Sequence, residues 1–415
     1  MSVSRRSFLQ AGAGIAAILA AGRAPAAVIG KPRVVVIGGG FGGATAARYL
    51  SLWGAGKVDV TLVERNPEFI SCPVSNLVLT GERSLDQLRF GYEGLTARGI
   101  RVLRGEVAAV DAAARTVKLS DGSTLPWDRL VIAPGVDFRA VPGVDSEQIP
   151  HAWKAGPQTL LLQRQLAAMA DGGVFAICVP KAPYRCPPGP YERACLVADW
   201  FQRTKPKAKV LVLDANPEIV SKKALFARIF AERFPKHLEY IPNSELMEVK
   251  GRSALLEFDT VQADVLNVIP PQQASAIARL AGLVNVNDRW CDVDWRSMEA
   301  TATPGIHVLG DACFPTHTMP KSAHMANQHG KLAAAAILAT FDGRAPDPAP
   351  ILMNTCYSYI NAREAIHVSS VHAWDEAKRT LMPVAGAGGL SAAPSEEEGG
   401  YAAGWARNIW FDTLG

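Results

Sequence analysis

Thiols are the side chains in this sequence best placed to do unusual chemistry, and one of them sits in an unusual loop. The stretch YRCPPGPYER, Tyr184 to Arg193, carries Cys186 between the apolar run VFAICV (Val174–Val179) and the helix-like ACLVADWF. Strand–loop–helix positions of this kind often carry glycines that bring a dinucleotide's pyrophosphate onto backbone N–H groups. Here Pro180, Pro183, Pro187, Pro188 and Pro190 supply no N–H, and their rings obstruct close approach. The loop reads as a nicotinamide site given up and as a stiff mount for a thiol. Glu192 opens the next helix, where it could move a proton or simply complement the helix dipole.

A second strand–loop–helix keeps its glycines. In PRVVVIGGGFGGATAARYL (Pro32–Leu50), a β-branched run leads into Gly38, Gly40 and Gly43, spaced G-x-G-x-x-G. The first permits a tight turn, the second admits a pyrophosphate, and the third lets helix and strand pack closely. VDVTLVER (Val58–Arg65) then places Glu64 at the end of the next strand, where an acid accepts hydrogen bonds from an adenosine ribose. Strand, glycines, helix and terminal acid together point to a bound dinucleotide.

Composition narrows the rest. The seven cysteines form no C-x-x-C pair, which speaks against an ordinary zinc or iron–sulfur framework. His317, His324 and His329 invite a metal reading, but the spacing of the last two falls off one helical face, and no metal site is expected. The chain has 43 Lys and Arg against 39 Asp and Glu. Without residues 1–26 the balance is nearly even, so neither nucleic acid nor an anionic membrane surface is expected as a partner. SRRSFLQ (Ser4–Gln10), a weak apolar stretch and APA (Ala24–Ala26) read as a twin-arginine signal peptide over 1–26, hence export to the periplasm. The apolar run is too short for a membrane span, and no long apolar helix suggests membrane embedding.

Two later segments resemble parts of flavoproteins. WDRLVIAPG (Trp127–Gly135) is similar to the strand and turn that rejoin the FAD domain of two-dinucleotide-binding flavoproteins. GIHVLGDACF (Gly305–Phe314) is similar to their second FAD motif, which implies that Asp311 binds a ribityl hydroxyl. The implied fold is α/β and glutathione-reductase-like. A Rossmann-like FAD domain (32–154 and 271–350) is interrupted by a second Rossmann-like domain (155–270) and followed by a C-terminal interface domain (351–415).

The leader, VIGGGFGG, SCPVSN, RCPPGPYE, GDACFPTHTMPKSAHMANQHGK and NTCYSY together resemble the flavoprotein subunit of flavocytochrome c sulfide dehydrogenase, and the similar flavoprotein of periplasmic sulfur oxidation. The resemblance runs over nearly the whole mature chain. It implies FAD joined covalently through Cys72. It implies a redox-active disulfide between Cys186 and Cys356 on the flavin face, with Glu192 nearby as a proton carrier. It also implies that the helix beginning at Met319, with Lys321, points at the flavin's pyrimidine end. Hydrosulfide would open the disulfide and leave a persulfide, and the electrons would pass through FAD to a haem. The chain has no C-x-x-C-H, so the haem would belong to a separate c-type cytochrome subunit.

Two other functions fit the same pattern. One is sulfide:quinone oxidoreductase, disfavoured by the leader and by the lack of a membrane anchor. The other is an accessory redox protein that maintains a sulfur-carrier complex. Cys178, Cys195, Cys291 and Cys313 read as buried and unreactive, with room for a second disulfide. Val384–Gly404 reads as a flexible segment, and Trp405, Ile409 and Trp410 as one face of a short amphipathic turn that docks on the body or meets a partner.

Overall fold

The computed structural model describes residues 30–415; the segment 1–26, expected to be a twin-arginine leader, lies outside them. Along the chain the main elements are β1 (Arg33–Ile37), α1 (Phe41–Gly54), β2 (Asp59–Glu64), β3 (Arg101–Arg104) and β4 (Arg129–Ile132). Next come β5 (Val174–Val179), α2 (Gly189–Thr204), β6 (Lys209–Asp214), β7 (Leu238–Ile241) and β8 (Val265–Val268). There follow β9 (Val293–Asp294), β10 (Glu299–Ala300), β11 (Ile306–Val308) and α3 (Ala323–Phe341). β12 (Ile351–Tyr359), β13 (Ala365–Asp375), β14 (Thr380–Leu390) and α4 (Glu396–Leu414) close the chain.

The first sheet runs β9-β10-β11-β4-β1-β2-β3. Its five-strand body from β11 to β3 is parallel, with Ile37 in register with Val63 on one side and Ile132 on the other. A central parallel strand is covered on both faces, so β1 needs a continuous apolar run, and Val34 to Ile37 are all buried. Burying each such side chain contributes about 1.5–3 kcal/mol. Helix α1 is built from small residues on its buried face, and Gly330 of α3 packs so closely that an added Cβ would stand 2.6 Å from the Gly42 carbonyl oxygen. β2 and β4 flank β1 on opposite sides, which opens a crevice at the carboxyl ends of the strands.

The second sheet, β7-β6-β5-β8, is parallel throughout. Phe175, Ile177 and Val179 pack into one core and Ala176 and Cys178 into another, on the two faces that period-two alternation dictates. The third sheet, β12-β13-β14, is antiparallel and carries Cys356.

The tail corrects two expectations. Val384–Gly404 is not a free segment. Its first part completes β14, and its second begins α4, which Ser395 caps by accepting from the Glu398 N–H at 3.1 Å. A capping serine and acidic residues Glu396, Glu397 and Glu398 in the first turn favour a helix there despite the glycines. The expected short turn is thus a 19-residue helix. It docks on the body, where Trp410 donates its indole N–H to Ser71 Oγ at 2.8 Å.

Candidate active site

A cavity of about 790 Å³ lies at the carboxyl end of the first sheet. The first and third sheets contribute to its wall, as do the loop after β5 and the first turn of α2. The glycine loop forms one end. Gly38 has φ 97°, and a Cβ on it would fall 2.4 Å from the Ala133 oxygen; one on Gly43 would fall 1.9 Å from the Gly38 oxygen. A Cβ on Gly40 would meet nothing within 4 Å, so the backbone there faces open space. Glu64 lines the same end and accepts from the Gly39 N–H at 2.7 Å and the Asn66 N–H at 2.8 Å. The N-terminal turns of α1 and α3 both face the cavity.

Asp311 follows β11 on a single turn of 3-10 helix and lines the cavity. Its Oδ1 is buried without a hydrogen-bond partner, and burial pushes its carboxyl above the ordinary range, against the nearby positive charges of Arg185 and Lys321. A buried acceptor left open calls for a donor from a ligand.

Cys72, Cys186 and Cys356 come from three distant segments and line this one cavity. Cys72 is half-buried, and its Sγ accepts from the Ala155 N–H at 3.5 Å. Cys186 has φ 57°, a strained region for a non-glycine residue. Two backbone hydrogen bonds hold it there: its N–H donates to the Lys321 oxygen at 2.8 Å, and its own oxygen accepts from the Gly189 N–H at 2.9 Å. Gly189 is needed beside it, since a Cβ would stand 2.7 Å from the Trp153 ring and 3.0 Å from Cys186 Sγ. Cys356 lies on β12, where the Asn354 amide approaches its sulfur at 3.4 Å. All seven cysteines are free thiols in this structure, so the Cys186–Cys356 bond expected for the oxidised protein is not formed in it. Both sulfurs are open to the cavity, Cys186 the more so, yet the protein packed around them still desolvates the thiols and pushes both up; the first opposing charge is Arg185 for Cys186 and Lys222 for Cys356.

Glu192 lies in the first turn of α2, almost fully buried and facing the cavity. Its two oxygens accept from the Tyr359 N–H and the Asn76 amide, each at 2.9 Å. Burial still raises its pKa above the ordinary value near 4.5. Asn76 also accepts from Arg193 Nε at 3.0 Å, so it links the acid to a buried guanidinium. Burial lowers Arg193 to about 10.

Lys321 is a correction. Helix α3 begins at Ala323 rather than Met319, with Ser322 as its cap, and Lys321 lies outside it. The ammonium donates to the Asp311 backbone carbonyl at 2.8 Å and to the Cys313 backbone carbonyl, and stands 3.7 Å from the Trp290 ring centre. It braces the Asp311 loop from behind; the N–H groups of α3 face the cavity in its place. Carbonyl oxygens and an aromatic face satisfy a buried ammonium, which explains the inward turn.

The other expectations divide as follows. His324 and His329 each accept a backbone N–H, from Thr355 at 3.0 Å and Gly310 at 3.1 Å. Among the described residues, no group of three or more His, Cys, Asp or Glu could hold a metal, and no helix is long and apolar enough to cross a membrane. Cys178, Cys195, Cys291 and Cys313 are buried, and burial raises Cys178 and Cys291 to about 12.

Family models match most of the chain in three pieces. Residues 159–270 match the central region of the "sulfide dehydrogenase [flavocytochrome c] flavoprotein chain". Residues 348–414 match "flavocytochrome c sulphide dehydrogenase, flavin-binding", and residues 32–166 match "pyridine nucleotide-disulphide oxidoreductase". A 49-residue sequence of the sulfide dehydrogenase [flavocytochrome c] flavoprotein chain from Chlorobaculum thiosulfatiphilum is covered completely at 53% identity, over 12% of this chain. The chain belongs to this flavoprotein family. The type II NADH:quinone oxidoreductase NdhA of Mycobacterium tuberculosis is 40% identical over 116 residues, which span 27% of this chain and only 24% of that one. The crystal structure of sulfide:quinone oxidoreductase from Aquifex aeolicus shares the fold, with TM-score 0.79 and 18% identity over 92% of this chain and 91% of that one.

Membership in the flavocytochrome c sulfide dehydrogenase flavoproteins makes the chain a flavin-dependent oxidoreductase, and the cavity fits FAD. Open backbone at Gly40, two helix N-termini and the unpartnered Asp311 oxygen match the pyrophosphate, ring and ribityl needs of that cofactor. Several residues here are not evident from sequence patterns alone: Asn76, Arg185, Arg193, Lys222 and Ser322. Asn76, Arg185 and Arg193 sit inside SCPVSN and YRCPPGPYER, where charge and amide flanking a thiol were the available signal.

Proposed function

We propose that this chain is the flavoprotein of a periplasmic sulfide dehydrogenase, exported by its twin-arginine leader and passing electrons to a separate c-type cytochrome subunit. The observation that carries the reading is the convergence of Cys72, Cys186 and Cys356 on one flavin-sized cavity. Cys72 is the attachment point for FAD, and Cys186 and Cys356 form the redox-active disulfide of the oxidised protein. FAD, when bound, supplies the two-electron acceptor.

The chain's own residues do the rest. Hydrosulfide attacks one disulfide sulfur; a new S–S bond forms, the old one breaks, and its electron pair leaves on the other cysteine. Burial raises the pKa of Glu192 and so favours its protonated form, suiting it to proton transfer near the sulfurs, and Asn76 and the Tyr359 N–H fix its orientation. The backbone clamp on Cys186 fixes the sulfur for in-line attack.

Steady-state turnover of sulfide with cytochrome c or with a soluble quinone tests the assignment. The expected result is cytochrome c reduction; quinone reduction alone points to a sulfide:quinone oxidoreductase, and turnover with neither points to an accessory role. Cys186→Ser is expected to keep FAD bound after acid precipitation, because Cys72 is untouched, yet to lose at least about 10²-fold in turnover. Near-parent turnover overturns the disulfide mechanism.

A further inference from the structure

Lys222 is almost fully buried and sits just ahead of the helix Lys223–Arg233. Its position is unfavourable in three ways. An ammonium away from water is destabilising unless compensated. A cation at a helix N-terminus opposes the dipole. Its backbone is left-handed, with φ 56°. Yet its Nζ donates to the Ser358 hydroxyl at 2.7 Å, stands 5.9 Å from the Phe226 ring centre, and forms no salt bridge among the described residues. A conformation this costly is retained where function requires it.

The ionisable groups around it show what it could serve. Cys356 lies on β12, two residues before the Ser358 that anchors the ammonium. Glu192 approaches from α2, Cys186 from its loop and Glu398 from α4; Arg193, on α2, is the other buried cation beside Glu192. Glu398 is already engaged by His367 Nδ1 at 2.9 Å and Ser391 Oγ at 2.6 Å, and Glu192 by Asn76 and Tyr359.

We propose that Lys222 is a positioning residue that holds the negative charge appearing on Cys356 when the Cys186–Cys356 disulfide opens; this rests on the disulfide reading above. Attack of hydrosulfide at Cys186 breaks the S–S bond and leaves Cys356 as the thiolate. Attack at Cys356 leaves it as a persulfide, whose proton passes to water, and leaves Cys186 as the thiolate. In either case the sulfide sulfur gives up two electrons, the disulfide gains them, and an anion forms beside the lysine. Consistent with this placement, burial draws the Lys222 ammonium down to about 8 against the pull of Cys356, the first of the acids that oppose it.

The test uses the purified, reduced holoprotein. The rate of Cys356 alkylation by iodoacetamide is followed against pH by peptide mass. Lys222→Met is expected to slow alkylation about tenfold at pH 7, the equivalent of about one unit in the thiol's midpoint. Lys222→Arg should restore much of the rate. Lys223→Met, which alters an exposed neighbour paired with Glu218, should leave the profile unchanged. A Lys222→Met profile that superimposes on the parent overturns the proposal. Should that variant fail to fold, Ser358→Ala removes only the anchor; a smaller shift in the same direction supports the proposal, and no shift overturns it. Peptide mapping of the oxidised parent separates the two layers. Absence of a Cys186–Cys356 disulfide removes the underlying reading and this proposal together, whereas a disulfide with an unshifted profile removes the lysine's role alone.

Discussion

The molecule contains the same strand–loop–helix–strand unit twice, and the two copies have opposite fates. In the first, β1 leads through glycines into α1, and β2 ends in Glu64, which lines the open cavity. In the second, β5 leads through prolines into α2, and β6 ends in Asp214. Asp214 occupies the place that Glu64 holds in the first copy, but it is fully buried. Its Oδ2 accepts from the Tyr191 hydroxyl at 2.6 Å and the Tyr240 hydroxyl at 3.0 Å, and its Oδ1 from the Asn216 N–H at 2.9 Å and amide at 2.7 Å. An acid so engaged has little left for a ribose. The acid at this place in the second unit is taken up by side chains of its own helix and strands, and the loop and first turn of α2 face the cavity of the first unit, where they mount Cys186 and Glu192.

The largest expected effect lies in the glycine loop. Gly43→Ala puts a Cβ 1.9 Å from backbone, which cannot yield as a side chain could. The protein should purify with little or no FAD and reduced stability, by about 1–3 kcal/mol or more. Gly40→Ala meets no protein atom, so the fold should persist while flavin content falls, because the methyl intrudes on phosphate space. Flavin-to-protein absorbance ratios and urea midpoints measure both. Full flavin occupancy in Gly43→Ala would break the comparison at its stronger half.

The second unit should respond differently. Tyr191→Phe removes one donor from Asp214 and leaves a buried carboxylate short of a partner. A loss of about 1–3 kcal/mol is expected by urea unfolding, with the flavin spectrum unchanged. Neither the parent nor this variant should show saturable flavin reduction by micromolar NADH, since the proline loop still lacks phosphate-binding N–H groups. NADH reduction in the parent would show that the site is not closed.

These contrasts mark how far the sequence could be read. The glycine fingerprint, Glu64 and the proline loop were legible because each sits at the end of a strand or the start of a helix, where local backbone needs show. Asp311 and the flavoprotein fold were legible only through resemblance to flavoproteins. Lys321 misled because its neighbours suggested a helix start three residues before the Ser322 cap, and whether a lysine faces a cavity or turns back to carbonyls is decided by packing. Asp214 escaped the sequence reading, because its tyrosine partners Tyr191 and Tyr240 come from α2 and β7, and no local pattern joins them. The helical tail was obscured by glycines whose low propensity is outweighed by capping and by burial of Ile409 and Trp410.

The smallest expected effect distinguishes Glu192 from Glu64, both of which line the cavity. Glu192 is held by two hydrogen bonds, but burial dominates and its folded pKa lies above the ordinary value near 4.5. For an acid whose pKa rises on folding, the unfolded chain releases the proton first. Stability contributed by the protonated form is therefore fully present below that ordinary value. It is lost as pH rises from there through the folded pKa, and it levels off above it. Glu192→Gln carries no such titration, so its urea midpoint should fall less than the parent's across that window. The Gln amide can still accept from one of the two donors, Asn76 or the Tyr359 N–H, so the variant should fold. The same substitution at Glu64, which also accepts from backbone N–H groups, is a control for loss of a hydrogen-bonded carboxylate as such. Parallel pH profiles for the parent and Glu192→Gln would show that hydrogen bonding, not burial, governs this carboxyl, and would remove Glu192 as the proton store beside the sulfurs.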